Sequence, residues 1–230
     1  MIGDKPLFKK DYEKLQFLRW VLFLITAAEA AGLPAISRKR LHALLFVSFA
    51  SSRFYGLRPL RQRAQRTLHG PYYRAAHLTL GHLVFSGLIE VSEFHAHPSP
   101  KDLQFEGTFK LTKEGLMMTR LLRQTGIGEK MYKFLLDLCL GTARAMATPD
   151  SEAEFDDENT DQMLAQDLTF RAALARSDKA LIIEEKVGDI TPTLKGLHSI
   201  DAYMRERAFV NSKDVLAAYQ TLLRDRTKVA

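Results

Sequence analysis

Five histidines, His69, His77, His82, His95 and His97, fall within one short stretch of the chain, and imidazole is the commonest metal ligand. His95 and His97 stand two apart and would share one face of a strand, but no HExxH or paired-ligand spacing accompanies them. Asp156, Asp157 and Glu158 are the kind of carboxylate group a metal-dependent nuclease uses, yet they stand in an acidic run with no scaffold strand or partnering lysine. Cys139 is the single cysteine and lies in the apolar run KFLLDLCLG, which excludes an internal disulfide framework and reads as a buried, inert thiol. There is no GxxxxGK[ST] phosphate loop, no GxGxxG and no GxSxG. No catalytic residue, metal site or cofactor is therefore expected, and the chain does not read as an enzyme.

The densest chemistry is basic. Arg53, Arg58, Arg61, Arg63, Arg66 and Arg74 fall in a stretch with no acidic residue from Arg53 to Ile89, punctuated by Gly56, Pro59 and Gly70. A solvated loop with a short helix is one reading of such a run. The other is a phosphate-facing surface, because the planar guanidinium fork binds phosphate oxygens in pairs and several together release condensed counterions. The formal net charge of +6 hides an asymmetry: residues 1–147 carry 22 Lys and Arg against 11 Asp and Glu, and residues 148–230 carry 11 against 16. A basic body suits a polyanion or an acidic partner.

The elements that must position these residues are mostly helical. Leu15, Leu18, Leu22, Ile25 and Ala28 have helical spacing within residues 11–31, which Gly32 and Pro34 terminate. Lys5, Lys9, Lys10, Lys14 and Arg19 ahead of WVLFLITAA mimic a secretory leader. Asp4, Asp11 and Glu13 interrupt the basic region, and the apolar run is too short to span a bilayer. A cytoplasmic protein without a membrane segment is expected. Ser37 is placed to cap a second helix burying Leu41, Leu44, Leu45, Val47 and Phe49.

Pro71 suits the first turn of the next helix and Gly87 its end. Tyr73, Ala76, Leu80, Leu83 and Val84 share one face of that helix, which should pack on the earlier two. The opposite face holds Arg74, Leu78, Gly81, His82 and Phe85. A helix that reads base edges needs hydrogen-bonding side chains there, whereas two large apolar groups and a glycine suit protein contact. Residues 88–94 then read as a strand, HAHPSPKDLQ as a loop, and residues 108–111 as a return strand. Thr112 caps LTKEGLMMTRLLRQ. Residues 129–147 form a long helix with Phe134, Leu135, Leu138 and Met146 at core spacing. TPDSEAEFDDENT, residues 148–160, has six acidic residues and no basic one and reads as a linker. Beyond it, residues 161–177 are amphipathic, KALIIEEKVG suits a strand or a helix, and two helices begin at Pro192 and Ser212. This tail either packs back on the body or binds another subunit.

The order helix, helix, helix, strand, strand, helix, with LxxxGLIEV followed by FKLTKEG, resembles the winged-helix superfamily. The resemblance implies a mainly α fold with a small β-wing: a winged helix-turn-helix core plus helical N- and C-terminal extensions. The expected organisation is an N-terminal helix packing on the core in 1–35, the winged helix in 36–124, a long helix in 125–147, an acidic linker in 148–160 and a helical region in 161–230.

In layout the chain is also similar to the small middle component of three-component bacterial defence systems of the Lamassu or DdmABC type. There an SMC-like ATPase and an effector such as a nuclease work with a small third protein. That likeness implies a non-catalytic accessory subunit in anti-phage or anti-plasmid defence that bridges ATPase and effector. Its expected protein contacts are Leu78, Gly81, His82 and Phe85, and its expected non-specific contacts to double-stranded DNA phosphates are Arg53, Arg58, Arg61, Arg63, Arg66 and Arg74. The alternative is a homodimeric winged-helix transcription regulator, with the Pro71 helix in the major groove and residues 129–147 as dimer helix. A purely protein-binding, antitoxin-like module is a third possibility.

Overall fold

The computed structural model describes residues 11–33, 35–58, 60, 63–67, 70–98, 103–147, 157–175, 180–182 and 190–228. In chain order the described elements are α1 (Asp11–Ala30), β1 (Ile36–Ser37), α2 (Arg38–Ser51), a short 3-10 turn (Ser52–Tyr55), β2 (Arg63–Thr67), β3 (Gly70–Tyr72), α3 (Arg74–Phe85), β4 (Ile89–Pro98), β5 (Leu103–Leu111), α4 (Lys113–Arg123), α5 (Gly126–Met146), α6 (Asp157–Ala165), α7 (Leu168–Leu174), β6 (Ala180–Ile182), α8 (Pro192–Arg205) and α9 (Ser212–Thr227). The fold is mainly α with small antiparallel sheets.

α1 and α2 run through the middle of the core. Every residue from Trp20 to Ala28 and from Arg40 to Ser51 is buried, and a helix that is covered all round has other elements on every side. Around α1 these are α2, α3, α4, α5 and β5. Leu22, Ile25 and Ala28 are buried as their spacing predicts, but Leu15 is 63% exposed, because the first turns of α1 project beyond the elements that cover the rest. The sole tryptophan, Trp20, packs against Phe49 and Phe134 and donates its indole N–H to Ser48 Oγ at 2.9 Å. Replacing Ser48 with alanine orphans that buried donor and is expected to lower stability by about 1–3 kcal/mol. Urea denaturation followed by Trp20 fluorescence reads this directly, and an unshifted midpoint would show that the indole N–H finds another acceptor.

Local chemistry ends the helices where the sequence places the ends. At the end of α1, Gly32 has φ +75°, with Gly32 N–H donating to Glu29 O and Leu33 N–H to Ala28 O. Gly87 ends α3 with the same paired bonds, to Val84 O and Leu83 O, at φ +67°. Ser37 caps α2, Thr112 caps α4, and Thr191 caps α8 with Pro192 in the first turn.

Two parts of the strand reading change. The β4–β5 hairpin is longer than predicted and pairs from Ile89↔Leu111 out to Pro98↔Leu103, so much of HAHPSPKDLQ is strand rather than loop. The register breaks between Ser92 and His95 around Glu93, whose φ is 54°, and this irregularity lets the ladder continue past the change of alternation. β1 closes this sheet in the order β1-β5-β4. The second change is an unforeseen sheet in the order β3-β2-β6. Pro71 lies in β3 opposite Arg66, not in a helix, and α3 begins three residues later. Tyr73 at its N-cap has no side-chain cap; instead its backbone N–H donates to His42 Nδ1 of α2 at 3.1 Å. A distant imidazole thus holds the backbone at the point where α3 begins.

The C-terminal elements pack on the same chain. α5 lies between α1 and α9, α6 lies on α2, and α8 contacts both α2 and α9. Thr191 Oγ1 donates to Ala50 O at 3.0 Å, Gln220 Nε2 to Leu138 O at 3.0 Å, and Arg224 Nη1 to Ala145 O at 3.1 Å. Buried Arg40 and exposed Lys39 both face Asp161 of α6, at 3.7 and 3.3 Å. Residues 161–175 contain the end of α6 and all of α7, divided at Asp167. Of the acidic stretch 148–160, residues 148–156 lie outside the described residues, and Asp157–Thr160 opens α6 with Thr160 fully buried. α5 is also covered on the apolar face that a dimer would use, since Phe134, Leu135 and Leu138 are fully buried within the chain.

Candidate functional site

The arginines predicted to face phosphate are spread over separate elements. Arg53 is half-buried on the 3-10 turn, Arg58 is exposed just after it, and Arg74 is exposed at the start of α3. Arg63 and Arg66 belong to β2, paired with Ile182 and Pro71. Arg61 lies outside the described residues.

α3 is two-faced in the way its sequence predicts. Tyr73, Ala76, Leu80 and Leu83 are buried against the body, and Val84 is half-buried. On the other side Leu78 is 44% and Phe85 94% exposed, with His82 exposed and Gly81 half-buried between them. A Cβ added to Gly81 would meet nothing within 4 Å. Mid-helix glycine is less stable than alanine by about 0.8–1.0 kcal/mol, and no close packing within the described residues compensates.

The structure adds an apolar surface that the sequence reading missed. α4 exposes Met117 at 60%, Leu121 at 56%, Leu116 at 38% and Met118 at 37%, and Ile127 follows at 53%. Only Gly115 and Thr119 of α4 are buried. LTKEGLMMTRLLRQ carries Leu and Met in nearly every turn, and that was the available signal. The two surfaces are joined at their ends. Thr112 at the start of α4 donates its hydroxyl to Gly87 O at 2.7 Å, two residues beyond Phe85.

The groups able to do acid–base or nucleophilic chemistry are mostly buried in structural roles. Burial pushes His42 down to about 3, with Arg38 and His77 adding to the effect, so a neutral imidazole accepts the Tyr73 N–H. Burial raises the Cys139 thiol far above its ordinary range, which suppresses the thiolate. Asp137 is raised by burial, an effect opposed by a hydrogen bond from Tyr55 and by the nearby charges of Lys213 and Lys133.

Of the sequence-predicted metal candidates, His77 is half-buried, His82 and His95 are exposed, and His97 pairs with Gln104 in the β4–β5 ladder. His69 and Asp156 lie outside the described residues; Asp157 and Glu158 open α6. Among the described residues no group of three or more His, Cys, Asp or Glu is placed to hold a metal ion, and no helix is long and apolar enough to cross a membrane. In comparisons with protein-family models, curated proteins and solved structures, nothing matches this chain.

Proposed function

We propose that this chain is a non-catalytic winged-helix accessory subunit that docks a protein partner on the outer face of α3 and touches DNA through phosphates. The observation that carries the reading is Phe85, 94% exposed on the face that also presents Leu78 and Gly81. A water-facing aromatic beside an uncompensated glycine suits a helix that another protein approaches closely. Support for the winged helix is the order α1, β1, α2, α3, β4, β5 with β1 paired beside β5. The 22 residues from Ser52 to Tyr73 between α2 and α3, which include β2 and β3, depart from the tight turn of a helix-turn-helix DNA reader. That departure favours the docking role. By resemblance, the partner is an SMC-like ATPase that the chain bridges to an effector, in the cytoplasm.

The test is co-expression of the tagged chain with an SMC-like ATPase. The wild type should retain the ATPase through purification. Leu78→Glu with Phe85→Glu should lose it while the circular dichroism and melting curve stay unchanged. Gly81→Ala should raise stability of the isolated chain by about 0.8–1.0 kcal/mol and still weaken the complex. Undiminished capture by the double variant would rule out α3 as the docking face. The second reading, a transcription regulator, is favoured by exposed Arg74 and His82 on the same helix. It is supported instead if the double variant loses only operator selectivity.

A further inference from the structure

We infer that duplex DNA phosphates are held on a lysine-rich surface around the Gly56 turn, built by Arg58, by Lys130 and Lys133 of α5 and by Lys213 at the start of α9. The inference rests on the DNA-contacting part of the reading above and not on the α3 docking face. Three separated segments supply the charges. Lys130 Nζ reaches Gly56 O at 3.5 Å, which sets α5 against the turn that also carries exposed Arg58. Gly56 is left-handed, with φ +65°, and a Cβ there would lie 3.1 Å from Lys130 Nζ.

Lys130, Lys133 and Asp137 stand at i, i+3 and i+7 and form one stripe of α5. Asp137 accepts the Tyr55 hydroxyl at 3.1 Å and feels the charges of both Lys133 and Lys213, so α9 brings its first turn to the same stripe. The acidic groups present are already engaged: Asp137 is buried and bonded to Tyr55, Asp214 accepts the Asn211 N–H in the capping box of α9, and Glu129, which also feels the Lys133 charge, is held by Arg123. Among the described residues Arg58, Lys130, Lys133 and Lys213 form no ion pair, whereas Arg123, Arg205, Arg224 and Lys39 each pair with a carboxylate.

Phosphate fits this surface better than an acidic protein does. Three of the four groups are exposed lysines, a residue depleted from the dry centres of protein interfaces. Among the described residues the turn presents no large exposed apolar side chain to anchor one. Hydrated cations spread over several elements suit counterion release along a duplex.

The test is fluorescence anisotropy of the full chain with a labelled random-sequence duplex of roughly two helical turns, titrated between about 50 and 200 mM salt. Each phosphate contact contributes about −0.9 to the log–log slope. The triple variant Lys130→Gln, Lys133→Gln, Lys213→Gln should therefore flatten the slope by up to about 2.7 and lower affinity at least tenfold at the low-salt end, with melting unchanged. Three arginines at the same positions should retain both. Leu78→Glu with Phe85→Glu should leave the slope alone, which separates this surface from the docking face. An unchanged slope in the glutamine triple variant overturns the inference while leaving DNA contact in place. Absence of duplex binding by the wild type, or a preference for single strands, overturns the duplex assignment, and the pull-down still decides the docking role on its own.

Discussion

Replacing Asp167 with alanine is expected to remove about 3 kcal/mol or more of stability, since each buried donor left without a partner costs about 1–3 kcal/mol. Asp167 is fully buried between α6 and α7. Its Oδ1 accepts the backbone N–H groups of Thr169 and Phe170 at 2.9 and 3.1 Å, capping α7. Thr193 of α8 donates its hydroxyl to the same carboxyl at 2.7 Å and Tyr219 of α9 donates at 2.8 Å. One side chain therefore joins three helices, and alanine takes the carboxylate from four donors at once, of which Thr169 N–H and the Tyr219 hydroxyl keep only Thr193 Oγ1, at 3.2 and 3.5 Å. For a chain of this size the loss corresponds to a fall in melting temperature of roughly 6–12 °C, readable by circular dichroism. A variant that melts within a degree or two of wild type would mean that the four donors re-pair among themselves.

The pH dependence of this network has a definite sign. Burial raises the Asp167 carboxyl above its ordinary value, and the four donors only partly oppose it. The native state therefore holds the proton more tightly than the unfolded chain. The associated stability is fully present below the unfolded value near 3.8 and is lost as pH rises through the higher folded value. Asp167→Asn, which cannot ionise, should show a smaller decline in urea midpoint between acidic and neutral pH than wild type does. Since α9 is held through this network and through Gln220 to α5, loosening Asp167 should also weaken DNA binding through Lys213.

What the sequence made legible was what its neighbours decide. Ser37 and Thr112 each cap a backbone N–H three residues on, and Gly32 and Gly87 each supply a left-handed turn that few other residues tolerate. These signals need no knowledge of the rest of the fold. The α3 face was legible for the same reason, because a helical wheel assigns sides once one side is apolar. β2 was not, since RAQRT has no apolar alternation and becomes a strand only by pairing with β3 and with Ala180–Ile182 more than a hundred residues away. Pro71 was misassigned because its helix-start signal competes with a strand that the local sequence does not announce. The long-range bond from Tyr73 N–H to His42 is equally silent in sequence. Lys130, Lys133 and Lys213 look like ordinary solvated charges until α9 and the Gly56 turn are brought to one stripe of α5.

Gly115→Ala is expected to be the most disruptive single-methyl change in the α3–α4 junction. A Cβ there would sit 2.0 Å from Leu88 O and 2.9 Å from Leu111 Cδ1. The first obstacle is backbone, held in the turn that ends α3, and it has little freedom to yield. Thr112 fastens the same turn from the other side, donating its hydroxyl to Gly87 O and its N–H to Leu88 O while its Oγ1 caps Gly115 N–H. The glycine of LTKEG is thus required by contact, since α4 can begin against the α3 turn only where no side chain intervenes. Overpacking of this kind costs about 1–3 kcal/mol and occasionally more, and the immovable carbonyl places this site at the upper end, a fall of roughly 6–12 °C in melting temperature. Gly126→Ala is the control, because a Cβ there meets nothing within 4 Å and alanine is the better helix former. Equal melting temperatures for the two variants would show that α4 can lift off Leu88 without loss and that the glycine is not required by contact.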